Sequence, residues 1–223
     1  MFKKVLSIIF PIFHKNFPML SIFKKATKIF ESLFSLLLII YFGLYILTPY
    51  SERIDVCKHS YFENKHVIFS CEDVSVYKIN NLSYYKILSP FSKDDELGAT
   101  GFTNKIFVNS TALMKNKQSL SDVLNHELEH VNQKEILGFI KFYSTSKWIL
   151  EGGAEFHRGK PTIDVCLGFK LWGDENIKQK YFESWVKAYY ILKIKKMPYI
   201  DYLKINNKDI HFDKNTVLDL FCK

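Results

Sequence analysis

The sequence predicts an α+β domain that is preceded by one N-terminal transmembrane helix. Three observations lead to this fold class: a long apolar run near the N-terminus, short β-rich segments after it, and helix-periodic segments in the second half. A chain of 223 residues has room for one ordinary domain and a short appendage. We therefore expect a basic cytoplasmic tail at 1–28, a transmembrane anchor at 29–48 and an exported domain at 49–223.

The predicted anchor is the segment 29–47, which reads IFESLFSLLLIIYFGLYIL and has Glu31 as its only charged residue. Roughly 20 apolar residues are needed to cross the hydrocarbon core of a membrane, and a run this long is uncommon in the core of a small domain. A cleaved signal peptide is the nearer alternative. We favour an uncleaved anchor, because the run is long for a signal peptide and no A-x-A-like cleavage site follows it.

The distribution of charge predicts the orientation of this anchor. The first 48 residues contain six lysines and one glutamate, so they carry +5 of the formal net charge of +8. The positive-inside rule then places the N-terminus in the cytoplasm and the following domain in the periplasm or outside the cell. Since the basic excess belongs mainly to the tail and no aromatic-interleaved basic stripe follows, we do not expect a nucleic-acid partner.

The four cysteines all follow the predicted anchor. They are Cys57, Cys71, Cys166 and Cys222. An even number in an oxidising compartment permits two disulfides, and three pairings are possible. We favour Cys57 with Cys71 and Cys166 with Cys222, and four buried thiols are the alternative. A four-thiolate zinc site is not expected, because the sequence has no C-x-x-C pair.

The elements of the domain follow from local patterns. Strands are predicted at 66–71, 73–79 and 105–110, which are rich in β-branched and aromatic residues, with a turn at 98–103 before the last of them. A helix is predicted from Ser119 or Ser121, either of which can cap it, and two more at 146–157 and 176–196. In the first helix, apolar residues recur at helical spacing: Val123, Leu124, Leu128 and Val131.

The first predicted helix contains an H-E-x-x-H motif formed by His126, Glu127 and His130. A spacing of four residues puts both imidazoles on one helix face, where they can bind one zinc ion. Glu127 lies toward the same side and can act as the general base for water that the metal activates. Such a motif is expected by chance in about one of a hundred sequences of this composition, so a further partner is needed to support it.

A third ligand is predicted from the segment WILEGGAEF, which follows His130 after about twenty residues. Catalytic zinc normally has three protein ligands and one open position. Glu151 lies in this segment, after an apolar stretch and before two glycines. On a second helix packed against the first, its carboxylate would complete a site of two histidines and one glutamate. We therefore predict Zn²⁺ as the cofactor.

The motifs HELEH and WILEGGAEF resemble those of the gluzincin metallopeptidases, especially the small bacterial peptidase MA-like domains. The resemblance covers roughly residues 98–203. It implies a zincin-like metallopeptidase domain, with a small sheet and an active-site helix. It also implies that His126, His130 and Glu151 are the zinc ligands and that Glu127 is the catalytic glutamate.

The same resemblance assigns further roles. Glu155, one turn after Glu151, matches the acidic position that steadies the first histidine, and a solvated carboxylate is the alternative. The segment GATGFTNKIFVN is similar to the edge strand along which an extended peptide pairs. Tyr181 resembles the tyrosine that stabilises the oxyanion, although Ser184 stands where that motif has glycine. A core aromatic is the alternative for Tyr181, and His157 is a rival donor.

The function predicted from these residues is zinc-dependent hydrolysis of peptide bonds in a peptide or protein substrate, at the outer face of the membrane. No G-x-M-E-N-like stretch that would grip a free N-terminus is present, which favours an endopeptidase. The alternative is a non-catalytic zinc-containing domain that binds a peptide or protein, which would not need Glu127 as a base. An intramembrane protease is disfavoured, because the segment around the metal motif is too polar to lie in lipid.

Overall fold

We describe the protein from a computed structural model, which covers residues 19–46, 51–63, 67–89, 92–101, 103–205 and 212–222. Within the first of these ranges, side chains are described for 27–43. The chain divides into two compact units, Met1–Thr48 and Pro49–Lys223. Most of the predicted basic tail, up to residue 18, lies outside the described residues.

The first unit contains the helix α1, Met19–Ile46, and most of its described apolar side chains are exposed, as for Phe30 at 70% and Ile39 at 68%. In the part of the chain that the structure describes, no helix is both long and apolar enough to cross a membrane. The predicted transmembrane helix is therefore wrong, and so is the predicted location in the cytoplasmic membrane. The helix carries charged residues near its start, among them Lys28 and Glu31, and these interrupt its apolar character.

The described part of the second unit contains one sheet, formed by the strands β1 (Glu52–Ile54), β2 (Ser75–Ile79), β3 (Gly98–Thr100) and β4 (Lys105–Asn109). Their order in the sheet is β1-β2-β4-β3. Strand β1 is antiparallel to β2, β2 is parallel to β4, and β3 is antiparallel to β4. The three residues Ile106, Phe107 and Val108 of β4 are fully buried, because β4 is a central strand with a neighbour on each side. The short strand β3 lies at the edge of the described sheet.

Two predictions in this region are wrong. The described part of segment 66–71 is not a strand, because a capping box between Ser70 and Asp73 starts a 3-10 turn at Cys71–Asp73. The segment 98–103 is not only a turn, since Gly98–Thr100 pairs with β4 as strand β3. The backbone N–H of Gly101 donates to the carbonyl of Lys105 and closes the hairpin.

The predicted helices are present, with shifted ends. Ser119 caps the metal-motif helix, because its hydroxyl accepts from the backbone N–H of Asp122. The segment predicted at 176–196 forms a helix, Ile177–Tyr189, followed by a π-helical turn, Tyr190–Ile194. The helices of the second unit are α2 (Leu82–Leu88), α3 (Ser110–Asn116), α4 (Leu120–Leu137), α5 (Phe139–Ser144), α6 (Lys147–His157), α7 (Val165–Lys170), α8 (Ile177–Tyr189), α9 (Tyr199–Leu203) and α10 (Lys214–Phe221).

Two apolar clusters hold the helices of this unit. In the first, Leu128 and Val131 of α4 pack with Val76 and Ile106 of the sheet. In the second, side chains of α6, α8 and α9 pack together, among them Ile149, Phe182, Val186 and Tyr202. Helix α4 therefore turns one face to the sheet, and the second cluster brings α6 and α8 together.

Helices α6 and α8 approach each other closely at Gly152. A Cβ atom at this position would lie 2.4 Å from the backbone oxygen of Ser184, so only glycine fits without a shift of the backbone. Because Gly152 follows Glu151 directly, this contact helps to determine where the carboxylate of Glu151 lies.

Two disulfides close the fold, and the favoured pairing is confirmed. Cys57 is bonded to Cys71, and Cys166 in α7 is bonded to Cys222 after α10. Together the two bonds use all four cysteines of the sequence.

The predicted fold class is corrected by these observations. The second unit is mainly helical and has a single small sheet, and no described helix could serve as the transmembrane element. Helices also alternate with strands, since α2 lies between β2 and β3, whereas the sequence predicts strands first and helices after them.

Candidate metal centre

His126 and His130 lie one turn apart on α4. The spacing of four residues places their rings against each other, edge to face, with centroids 4.8 Å apart. Their Nε2 atoms are separated by 3.1 Å. Two neutral imidazole nitrogens so close together need a proton or a cation between them.

Glu151 of α6 brings a carboxylate to the same point. Its Oε2 lies 3.2 Å from Nε2 of His126 and 3.6 Å from Nε2 of His130. One ligand atom from each of the three residues lies within 4.8 Å of the others, and the group could hold a metal ion. The three predicted ligands, which lie on two helices, are therefore brought together.

The geometry of this group fits a small tetrahedral cation. Three ligands that each lie about 2.0–2.1 Å from such a metal are separated from one another by about 3.3 Å. The observed separations are 3.1, 3.2 and 3.6 Å. In addition, Oε2 of Glu151 is buried, and although it lies 3.2 Å from Nε2 of His126, it makes no hydrogen bond of acceptable geometry among the described residues. A buried carboxylate oxygen normally has a donor or a metal, so the residues present fit a divalent cation.

The charges around the centre stabilise positive charge. Burial alone would lower the pKa of His126, but Glu151 and Glu155 outweigh it and raise this pKa to about 10. Burial likewise opposes the effect of Glu151 on His130, and the net shift of the His130 pKa is upward. Burial would raise the pKa of Glu151, yet the two imidazoles hold it well below its usual range.

Glu155 lies one turn after Glu151 and contacts the other ring nitrogen of His126. Its Oε1 is 3.0 Å from Nδ1 of His126, and its Oε2 accepts from Arg158 at 2.8 Å and from Thr162 at 2.7 Å. Only 1% of Glu155 is exposed. An acceptor at Nδ1 leaves Nε2 free to face a metal, and the charge of the buried carboxylate is balanced by Arg158.

Glu127 lines a cleft beside the centre, together with His126 and Glu155. Oγ1 of Thr100, in the edge strand β3, lies 2.8 Å from Oε2 of Glu127 and 3.0 Å from its backbone oxygen. A Cβ atom at Gly98 would lie 2.9 Å from Oε1 and Cγ of Glu127. The edge strand therefore approaches this carboxylate by its backbone, at a residue without a side chain.

Tyr181 of α8 also lines the cleft, which is partly open to solvent. Its ring centroid lies 5.9 Å from that of His126. Burial, followed by the charge of Glu151, raises the pKa of Tyr181 far above its usual value, so the hydroxyl keeps its proton. The rival donor His157 instead packs edge-on against Tyr199, with ring centroids 4.5 Å apart.

Three residues that contact the centre were not singled out in the sequence: Gln133, Thr100 and Arg158. Nδ1 of His130 lies 2.9 Å from Oε1 of Gln133. The spacing of three residues on one helix was a signal that could have identified Gln133. The same spacing of three residues links Arg158 to Glu155 at the end of α6 and could have identified Arg158 as well. Thr100 gave no comparable signal, because it reaches Glu127 from the strand β3.

Comparisons with protein-family models, with curated proteins and with solved structures found no match to this chain. The resemblance to the gluzincins therefore rests on the two motifs alone. The structure shows that His126, His130 and Glu151 form a group that could hold a metal ion, and it does not identify the metal.

Proposed function

We propose that this protein is a zinc-dependent hydrolase of peptide bonds, with Zn²⁺ held by His126, His130 and Glu151. The observation that carries the proposal is the convergence of two imidazole nitrogens and one carboxylate oxygen at 3.1, 3.2 and 3.6 Å. Two histidines and one glutamate with an open fourth position are a ligand set of hydrolytic zinc enzymes.

When bound, zinc supplies a Lewis acid that polarises a carbonyl group and makes water more acidic at neutral pH. The chain itself supplies the base. Glu127 lies in the cleft beside His126, where its carboxylate can take a proton from the attacking water and pass it to the leaving amine. The hydroxyl of Thr100 lies within hydrogen-bond distance of Oε2 of Glu127 and restrains the carboxylate in this position.

Tyr181 is the proposed donor to the oxyanion that develops on the scissile carbonyl. It lines the same cleft as Glu127, and its hydroxyl stays protonated because of burial and the surrounding carboxylates. A protonated hydroxyl in a partly buried cleft is suited to stabilise negative charge in the transition state.

The edge strand β3 supports a peptide as the substrate. It is the last strand of the described sheet, and it lies directly against Glu127 at Gly98 and Thr100. An extended peptide that pairs with an edge strand is bound through backbone hydrogen bonds and needs little sequence specificity. A peptide bound along β3 would therefore lie next to Glu127, the proposed general base.

The substitution Glu127→Gln tests this proposal, because hydrolysis requires the base and metal binding does not. In the full-length protein we expect zinc content to stay at about one ion and hydrolysis of a peptide library to fall about 10²- to 10⁴-fold. Zinc is measured by elemental analysis and cleavage by mass spectrometry. Glu135→Gln is the matched control, since Glu135 lies on the same helix, is exposed, and accepts a hydrogen bond from Asn104 away from the centre.

Two outcomes would contradict the proposal. If the wild-type protein retains no zinc, or if His126→Ala retains it fully, the metal assignment is wrong. If Glu127→Gln cleaves peptides as fast as the wild type at full zinc occupancy, the assigned base is wrong. Zinc binding without any cleavage by the wild type would favour the alternative of a zinc-containing peptide- or protein-binding domain.

A further inference from the structure

Gln133 lies on α4, three residues after His130, and is fully buried. Its side-chain oxygen, Oε1, is 2.9 Å from Nδ1 of His130. Its side-chain nitrogen, Nε2, donates to the backbone oxygen of Leu150 at 2.9 Å and to the hydroxyl oxygen of Tyr199 at 3.0 Å. One amide thus connects the second imidazole of the centre with the backbone just before Glu151.

The partners of Gln133 determine which end of the amide faces His130. A backbone carbonyl can only accept a hydrogen bond, so the side-chain nitrogen must point to Leu150. The side-chain oxygen then points to His130 and requires a proton on Nδ1. In that tautomer the lone pair of the imidazole is on Nε2, the atom that faces His126 and Glu151.

A buried network holds the amide from its other side. The hydroxyl of Tyr199 donates to Oε1 of Glu129 at 2.5 Å, so its oxygen is available to accept from Gln133. Oε2 of Glu129 accepts from Tyr61 at 2.7 Å. Glu129 is fully buried, as is Gln133. Hydrogen bonds in such a buried network constrain one another, because an unpaired member would be costly.

We propose that Gln133 is a positioning residue that keeps His130 in the orientation and tautomer needed for metal binding, and that Tyr199 and Glu129 hold Gln133 in turn. The inference rests on the proposed function in one respect, since it takes His126, His130 and Glu151 as metal ligands. Each imidazole then has its own acceptor at Nδ1: the charged Glu155 for His126 and the neutral Gln133 for His130.

The substitution Gln133→Met tests this role, because methionine has a similar length and no comparable acceptor. We measure the dissociation constant for Zn²⁺ in the metal-free full-length protein, by competition with a chromogenic chelator. Binding should weaken about 10- to 100-fold, the usual effect of removing a group that orients a metal ligand. The visible absorption of bound Co²⁺ should change as well, because the ligand field depends on the orientation of His130.

Gln179→Met is the matched control. Gln179 is also a buried glutamine, and its Nε2 donates to the backbone oxygen of Gly168 at 2.8 Å. It has no contact with a proposed ligand, so its replacement should lower stability without changing the dissociation constant for Zn²⁺. This control separates a loss of packing from a loss of positioning.

Tyr199→Phe provides a second test if Gln133→Met does not fold. It removes only the hydroxyl that bridges Gln133 and Glu129, and it leaves the bond from Gln133 to Leu150 in place. Zinc binding should weaken by about three- to tenfold, as expected when Gln133 loses one of its hydrogen bonds.

Three results would overturn the inference. Wild-type zinc affinity in both Gln133→Met and Tyr199→Phe would show that the amide does not position His130. An equal loss in Gln179→Met would show that general packing explains the effect. A wild-type protein that binds no zinc would remove the metal assignment of the proposed function, and this inference with it.

Discussion

At the scale of single residues, the proton on His126 competes directly with a metal ion. The pKa of this imidazole is raised from 6.5 to about 10 by Glu151 and Glu155, which outweigh its burial. A raised pKa means that the metal-free folded state gains stability from the bound proton below about pH 6.5 and loses it as pH rises through about 10. Metal binding must displace this proton, so it becomes easier as pH rises.

We therefore predict that the apparent dissociation constant for Zn²⁺ falls about tenfold or more per pH unit between about pH 6 and pH 8, because at least one proton is displaced. Proton release on addition of Zn²⁺, followed with a pH indicator in weak buffer, should give about one proton per ion or more near pH 8, since the pKa of His130 is raised as well. His126→Ala is the control, because it lacks both the proton and the ligand. A dissociation constant that does not change over this pH range would contradict the charge arrangement described for the centre.

At the scale of elements, the contact between α6 and α8 places Glu151. Gly152→Ala puts a methyl group 2.4 Å from the backbone oxygen of Ser184, so the two helices must separate. We expect a loss of about 1–3 kcal/mol in the free energy of unfolding, as in other overpacked cores. Urea denaturation of the metal-free protein measures this loss.

The neighbouring glycine offers a comparison. A Cβ atom at Gly153 would lie 2.8 Å from the ends of the Gln133 and Tyr199 side chains, which can move more easily than a backbone. Gly153→Ala should therefore destabilise the protein less than Gly152→Ala, while weakening zinc binding through Gln133. An equal stability for Gly152→Ala and the wild type would show that the helices are not held by this close contact.

At the scale of the whole molecule, the disulfides tie distant parts of the second unit together. Cys166 and Cys222 are separated by 56 residues, and Cys57 and Cys71 by 14. In the loop-entropy account, replacing the longer-range pair by serine costs about 4 kcal/mol and replacing the shorter-range pair about 3 kcal/mol. We predict that both double variants have lower urea midpoints, and that Cys166→Ser with Cys222→Ser has the lower one.

Wild-type protein treated with a reductant lacks both disulfides, so its urea midpoint measures the two losses of stability together. Midpoints that are insensitive to reduction would contradict a stabilising role for these bonds. The reverse order of the two variants would show that strain or residual structure in the unfolded chain outweighs loop length.

What the sequence by itself determined is local. The spacing of His126 and His130 places both on one helix face wherever that helix lies, and the serine cap at Ser119 follows from the same short-range geometry. The pairing of the cysteines and the role of Glu151 as a third ligand were predicted from motifs and neighbours along the chain. The sequence also predicted a transmembrane helix from apolar character, and this prediction failed.

What only the tertiary structure decided is the set of contacts between elements that are distant in sequence. Gln133 and Tyr199 are 66 residues apart, and Thr100 reaches Glu127 from a strand that the sequence predicts as a turn. Local patterns specify periodicity and caps, because these depend on a few neighbouring residues. The orientation of His130 depends instead on how α4, α6 and α9 pack, which is determined by the buried side chains of the whole unit together.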